Sequence, residues 1–271
     1  MLGSNASGQL GLGHTNSRGD DPNEMGDNLT AVDLGTGGKA KAIAAGYQHT
    51  CAILDNASVK CWGLNDEGQL GLNATDSRGD ESGEMGDNLP AIDLRSTGRT
   101  AASITTGDKH TCVMDDNASI KCWGRGYFGQ LGRGDRKSYN KPPQNVLELG
   151  SGINAKAITA GDMHTCVMLD NSSIKCWGLN DSGQLGQGDT NNSGDGMGDN
   201  PNPNNLPSID LGSGKTARAI SAGDGHTCAI LDNASIKCWG SNISGELGIG
   251  NTENRGDNSS KMGDNLPVIS L

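Results

Sequence analysis

Large aromatic side chains are scarce: the 271 residues include one phenylalanine, three tyrosines and four tryptophans. A core filled with rings is therefore excluded, and burial has to come from small side chains held close together. No apolar run approaches the roughly 20 residues that a membrane-spanning helix needs. Basic charge is also short, since 21 Lys and Arg face 32 Asp and Glu and leave a formal net charge of −11. Phosphate contacts would be repulsive on balance, which argues against nucleic acid or an anionic membrane surface as a general partner. Met1-Leu2-Gly3-Ser4-Asn5 has neither the basic start nor the apolar centre of a secretory leader. No serine, cysteine or carboxylate constellation has the pattern of a catalytic set, so no catalytic residues are expected and the chain reads as non-enzymatic.

Glycine is plentiful, at 43 residues, and one stretch recurs four times. His49-Thr50-Cys51-Ala52-Ile53-Leu54-Asp55-Asn56-Ala57-Ser58-Val59-Lys60-Cys61-Trp62-Gly63 returns almost unchanged at 110–124, 164–178 and 226–240. Two short apolar, β-branched runs around Asp-Asn-Ala or Asp-Asn-Ser predict a β-hairpin. Cysteines 51 and 61 can face each other only across a loop of odd length. A loop of three residues, Asp55-Asn56-Ala57, makes Leu54 and Ser58 the closing hydrogen-bonded pair. Alternation then places Cys51 opposite Cys61 at a non-hydrogen-bonded site, where opposing residues lie closest. Glycine is the usual third loop residue, yet this chain has Ala57, Ala118, Ser172 and Ala234. His49, Cys51, Ile53, Val59 and Cys61 share one face; Thr50, Ala52, Leu54, Lys60 and Trp62 share the other. Apolar residues on both faces predict burial on both sides, with the Lys60 stem along Trp62 and its ammonium in water.

All eight cysteines fall in the four hairpins: Cys51 with Cys61, Cys112 with Cys122, Cys166 with Cys176 and Cys228 with Cys238. Even pairing and opposed register favour disulfides, and so an extracellular or other oxidising compartment. Free buried thiols and a His-Cys-Cys zinc site are the alternatives; the latter lacks a recurring fourth ligand.

After each hairpin comes a tail. It opens on a turn such as Gly68-Gln69-Leu70-Gly71 and closes on a segment such as Leu89-Pro90-Ala91-Ile92-Asp93-Leu94, read as a short strand. A strand such as Ala42-Ile43-Ala44-Ala45-Gly46 then leads into the next hairpin. Equivalent histidines are spaced by 61, 54 and 62 residues. Four-stranded units at this period predict an all-β propeller, or an open propeller arc, as a single domain. Its units are a partial repeat at 1–39 and repeats at 40–100, 101–154, 155–216 and 217–271. Four hairpins and five tails cannot close a ring, which predicts a fragment of a larger propeller or an open arc.

Gly-x-x-His-Thr, the hairpin, and then Trp-Gly-x-Asn-x-x-Gly-Gln-Leu-Gly resemble the regulator of chromosome condensation repeat over essentially the whole chain. The resemblance implies a propeller of about seven blades and a structural hydrogen-bonding role for the histidine. The paired cysteines match a bacterial-type, secreted-looking variant of the family. One function the family implies is guanine nucleotide exchange on a Ran-type small GTPase. A light-sensing branch carries tryptophan in Gly-Trp-Arg-His-Thr; the matching positions here are Tyr47, Asp108, Asp162 and Asp224, which excludes light sensing.

Two features of the tails bear on binding. Acidic loops at 18–28, 78–88, 189–200 and 255–265 are rich in Asp, Glu and Asn, and calcium is a candidate ligand although the spacing does not match the twelve-residue calcium loop. Arg-Gly-Asp occurs at 18–20, 78–80, 133–135 and 255–257 and recurs with the repeat, so it need not be an attachment motif. The tail of the 101–154 repeat has lost its acidic loop. It holds Arg125, Tyr127, Phe128, Arg133, Arg136, Lys137 and Tyr139, an aromatic and basic cluster in an acidic chain. That composition marks binding hot spots. The sequence therefore predicts a disulfide-stapled scaffold that binds a protein partner or another ligand through this tail.

Overall fold

A computed structural model describes residues 2–94, 99–197 and 203–270. Parts of the 189–200 acidic loop and Leu271 of the last tail lie outside them. Twelve strands form four antiparallel sheets of three, each in sequence order. The first sheet is β1 (Ala40–Ala45), β2 (His49–Leu54) and β3 (Val59–Gly63); the second is β4 (Ala101–Thr106), β5 (His110–Asp115) and β6 (Ile120–Gly124). The third is β7 (Ala155–Ala160), β8 (His164–Leu169) and β9 (Ile174–Gly178), and the fourth β10 (Ala217–Ala222), β11 (His226–Leu231) and β12 (Ile236–Gly240). Neighbouring sheets pack in chain order and, among the described residues, do not close into a ring, so these residues form an open propeller arc.

The hairpin register is the expected one. Cys51 pairs with Cys61, Ala52 with Lys60 and Ile53 with Val59, and the other three hairpins repeat the pattern. Leu54 N–H donates to Ser58 O at 2.9 Å and Ala57 N–H to Leu54 O at 2.8 Å, which closes the three-residue loop. Four disulfides staple the pairs, with Cα atoms 4.0 to 4.2 Å apart, and no cysteine is free. Both thiols of every hairpin are thereby committed, which removes them as zinc ligands. The third loop residue takes the left-handed conformation that glycine favours, with φ of 62° at Ala57, 60° at Ala118, 64° at Ser172 and 66° at Ala234.

The fourth strand differs from expectation. The tail end lies extended along the outer strand but makes no ladder. One backbone bond holds it in each repeat: Ile92 N–H to Val59 O, Leu147 to Ile120, Ile209 to Ile174 and Ile269 to Ile236, at 2.8 to 3.0 Å. Prolines at 90, 207 and 267 lack the N–H that a ladder would use.

Both faces of the first three sheets are buried, as the pattern predicted, and each face has its own neighbour; the disulfide face of the fourth sheet, with Ile230 42% exposed, is open. The disulfide face of the first sheet packs with Leu70 and Ile92 of its tail and with Ala101, Val113 and Trp123 of the second sheet. The opposite face, with Ala52, Leu54 and Trp62, is covered by Leu89 and, from the tails, Val32, Leu34 and Met85. Each tail that joins two sheets is thus a wedge between them.

Candidate interaction surface

Hydrogen bonds run from sheet to sheet through the repeated histidine. Thr111 donates its hydroxyl to Gln69 O at 2.8 Å and so accepts from His49 Nε2–H at 3.0 Å; Trp123 Nε1–H shares the same carbonyl at 3.0 Å. His110 meets Thr165 and His164 meets Thr227 in the same way. The network assigns the neutral Nε2–H tautomer to these rings. Burial lowers their pKa from 6.5 to about 4 at His49, about 3 at His110 and about 4 at His164. The glycine of Gly-x-x-His is fixed by contact: a Cβ on Gly107 would lie 2.2 Å from His110 Cε1 and 2.4 Å from Gly161 O. The histidine is therefore a seam residue.

The repeated lysine does not keep its ammonium wet. Lys60 Nζ is buried and donates to Leu34 O at 2.9 Å and Gly86 O at 2.8 Å. Lys237 repeats this with Leu211 and Gly263 at 3.0 and 2.8 Å, and Lys175 reaches Leu149 O at 2.8 Å. Each of these lysines ties the preceding tail and also bonds its own, Lys175 through Asn204 O at 3.1 Å. Burial lowers the pKa of Lys175 and Lys237. The sequence pattern placed Lys60 beside Trp62 but gave no sign of the carbonyls that two tails bring over it.

The acidic loops turn their charges inward. Arg78 pairs with Glu84 Oε1 at 3.1 Å, while Oε2 accepts from Gly79 N–H at 2.9 Å and Glu81 N–H at 3.1 Å. Arg18 and Glu24 repeat the clasp, which lowers the Glu24 pKa, chiefly through the Gly19 N–H. The Arg-Gly-Asp backbone also packs against the preceding tail, since Gly13 N–H donates to Gly79 O at 3.0 Å. These tripeptides are seam elements.

In the 101–154 repeat the tail differs. Elsewhere the turn opens on a buried asparagine whose Oδ1 caps the leucine five residues on, as Asn65 does for Leu70 at 2.9 Å. Here the position is Gly126, and a Cβ there would meet Lys137 O. The short loop has put a carbonyl where the asparagine would stand. That explains Gly126 but not its neighbours. The Arg125 guanidinium lies over Tyr127 at 5.1 Å and Phe128 at 5.8 Å and pairs with Asp108 at 3.5 Å. Tyr127 is 46% exposed. Lys109 pairs with Asp66 at 2.6 Å, and Ser138 donates to Glu67 Oε2 at 2.8 Å. Burial raises the Asp108 pKa, against Lys109 and Arg125. Asp162 is raised by burial and then by Asp224 and Asp108, along the inner edge where Tyr47, Asp162 and Asp224 line a small cavity.

The other predicted residues divide. Arg133 stacks on Tyr139 at 3.8 Å and donates to Cys122 O at 2.7 Å; burial lowers its pKa. Tyr139 donates its hydroxyl to Asp135 at 2.6 Å, which raises its pKa. Arg136 Nε donates at 2.9 Å to Asp195, a carboxylate only 2% exposed in the next repeat. Lys137 has an exposed side chain beside Gly126. Asp66, Asp108 and Lys109 were missed in the sequence. The signal was present: Gly124 pairs with His110, so Arg125 must emerge beside residues 108 and 109, and its N–H does bond Lys109 O at 2.8 Å.

Two models of the regulator of chromosome condensation repeat match the chain, one at 40–69, 101–130, 155–184 and 217–246 and the other at 1–53, 58–114, 122–168 and 176–230. The chain belongs to this repeat family. It is 31% identical over 256 residues to the ultraviolet-B receptor UVR8 of Arabidopsis thaliana, covering 93% of this chain and 51% of the receptor. It is 29% identical to the probable E3 ubiquitin-protein ligase HERC4 of Homo sapiens, covering 79% of this chain but 18% of the ligase. The chain thus spans about half or less of these relatives. Among solved structures, human WBSCR16 matches with a TM-score of 0.75 at 18% identity, covering 100% of this chain and 62% of that one. Yeast RCC1 (Prp20), solved with Kap60, matches with a TM-score of 0.66 at 17% identity, covering 87% of this chain and 50% of that one. Another structure of Prp20p, from Saccharomyces cerevisiae, whose published description names binding to Gsp1p and histones, gives 0.57 at 21% identity, with coverage of 79% and 46%.

Proposed function

We propose that this repeat protein is a non-enzymatic scaffold that binds a protein partner through the face around Arg125, Tyr127 and Phe128, in an oxidising compartment. One observation carries the reading. The three side chains form a partly exposed cation–aromatic stack, with Tyr127 outermost, that the fold does not require. Equivalent positions hold Leu179, Asp181 and Ser182 in the next repeat, where the turn closes just as well. An arginine held between two rings loses little freedom on binding and offers the composition that dominates interface energetics. Acidic Asp66, Glu67 and Asp108 around it would complement a partner with basic residues at its rim. Lys137 adds to this face, whereas Arg133, Arg136 and Tyr139 are engaged within the fold.

Nucleotide exchange on a Ran-type GTPase is the second reading, supported by the likeness to Prp20p. The four disulfides weigh against it, because cytosolic and nuclear thiols stay reduced. A photo-crosslinking residue at 127 should capture a partner, and the same residue at Ile243, the equivalent exposed position in the last tail, should not. Equal capture from both positions would retire the site.

A further inference from the structure

The lost acidic loop leaves a second feature, at the outer edge of the β4–β6 sheet. A cavity of about 960 Å³ opens there, lined by Arg133, Asp135, Tyr139, Lys141, Pro142 and Val146 among others. Arg133 is its most unusual wall. Burial works against its charge, its Nε is buried without a hydrogen-bond partner, and it makes no ion pair among the described residues. The nearby Asp135 favours its charged form without an ion pair among the described residues; the Asp135 oxygens accept from the Tyr139 hydroxyl at 2.6 Å and Lys137 N–H at 3.0 Å. The Tyr139 ring stacks on the guanidinium at 3.8 Å, and the Arg133 Nε has no acceptor among the described residues. Lys141, exposed and also without an ion pair among the described residues, supplies a second cation to the lining. Glu148 at the rim is the remaining acidic group of the lining.

We propose that this cavity binds a short extended peptide carrying a carboxylate, which pairs with the Arg133 guanidinium while Pro142 and Val146 pack against an apolar neighbour. A planar guanidinium on an aromatic ring is suited to carboxylate recognition, and partial burial strengthens the bond. The site stands apart from the face around Arg125 and rests on a different observation.

The chain supplies its own control. In the next repeat Gln187 occupies the position of Arg133 and makes the same bond, donating to Cys176 O at 3.1 Å where Arg133 donates to Cys122 O at 2.7 Å. Arg133→Gln should therefore keep the structural bond and lose only the charge. The probes are three fluorescein-labelled hexapeptides of alternating residues, Leu-Asp, Leu-Asn and Leu-Lys, followed by anisotropy at low ionic strength. A protein of net charge −11 attracts the lysine peptide in any non-specific encounter, so preference for the aspartate peptide is diagnostic. Saturable binding of the aspartate peptide is expected, weakened at least tenfold by Arg133→Gln and less by Lys141→Gln, with an unchanged melting temperature. Binding of the aspartate peptide that is absent, no tighter than that of the lysine peptide, or equal in Arg133→Gln overturns the proposal. Capture of a partner at position 127 should persist in Arg133→Gln, which separates this site from that face.

Discussion

Acid should unfold this protein from its seams. His49, His110 and His164 stay neutral inside the arc, with pKa values of about 4, 3 and 4, whereas an exposed histidine titrates near 6.5. A lowered histidine pKa means that the unfolded chain binds more protons, so stability falls as pH drops below 6.5 and goes on falling toward the folded values. At pH 5 the unfolded rings are largely protonated and the folded ones are not. Each then costs about 2 kcal/mol relative to neutral pH, and the three together roughly 6 kcal/mol. That is a large share of the 5–15 kcal/mol typical of a domain. The raised Asp108 and Asp162 act in the opposite sense, and the lowered Asp87 and Asp264 lose their contribution only as pH falls through the carboxylate range. Between pH 7 and 5 the histidines should dominate. Urea unfolding at fixed ionic strength, with disulfides intact, should show a steep loss of midpoint over that interval. His110→Gln should flatten the slope by about a third while lowering stability at pH 7. A midpoint constant from pH 7 to 5 would refute the buried, neutral relay.

Other outcomes follow from single contacts. Glycine at Ala57, Ala118, Ser172 or Ala234 should stabilise by about 0.5–1 kcal/mol per site, since left-handed strain of about 1–2 kcal/mol is partly offset by the freedom glycine gains when unfolded; calorimetry on single and combined variants reads this. Lys60→Met leaves Leu34 O and Gly86 O without their donor and should cost roughly 3 kcal/mol in chemical denaturation, despite adding apolar surface. Cys51→Ser should lower stability by roughly 2–3 kcal/mol without reductant and show little difference from wild type once the remaining disulfides are reduced.

Much of the fold was legible because the repeat constrains itself. The parity of Cys51 and Cys61 gave the loop length, and the loop length gave every pair in the hairpin and both faces. What the pattern could not give was the content of the seams. Lys60 bonds carbonyls 26 residues away on either side, and alternation within a hairpin says nothing about what covers it. The tail end looked like a strand because its apolar spacing suits one, although Pro90 already removed a ladder donor. Arg136 read as a free surface cation; its partner Asp195 stands in the next repeat, beyond any local signal. Arg125, Tyr127 and Phe128 were legible as a departure from the repeat, and the structure adds that they stack together beside Asp108.

On the proposed function, the hairpins are scaffold and binding resides where the repeat departs from itself. The most direct test of this claim replaces Arg125 by Leu, Tyr127 by Asp and Phe128 by Ser, as in the next repeat, and keeps Gly126 because Lys137 O leaves no room for a side chain. Wild type and variant, immobilised in oxidised form, are compared for specific partner capture and for melting temperature. Loss of the partner with an unchanged melting temperature is the predicted result. The same partner retained at the same level would contradict the claim.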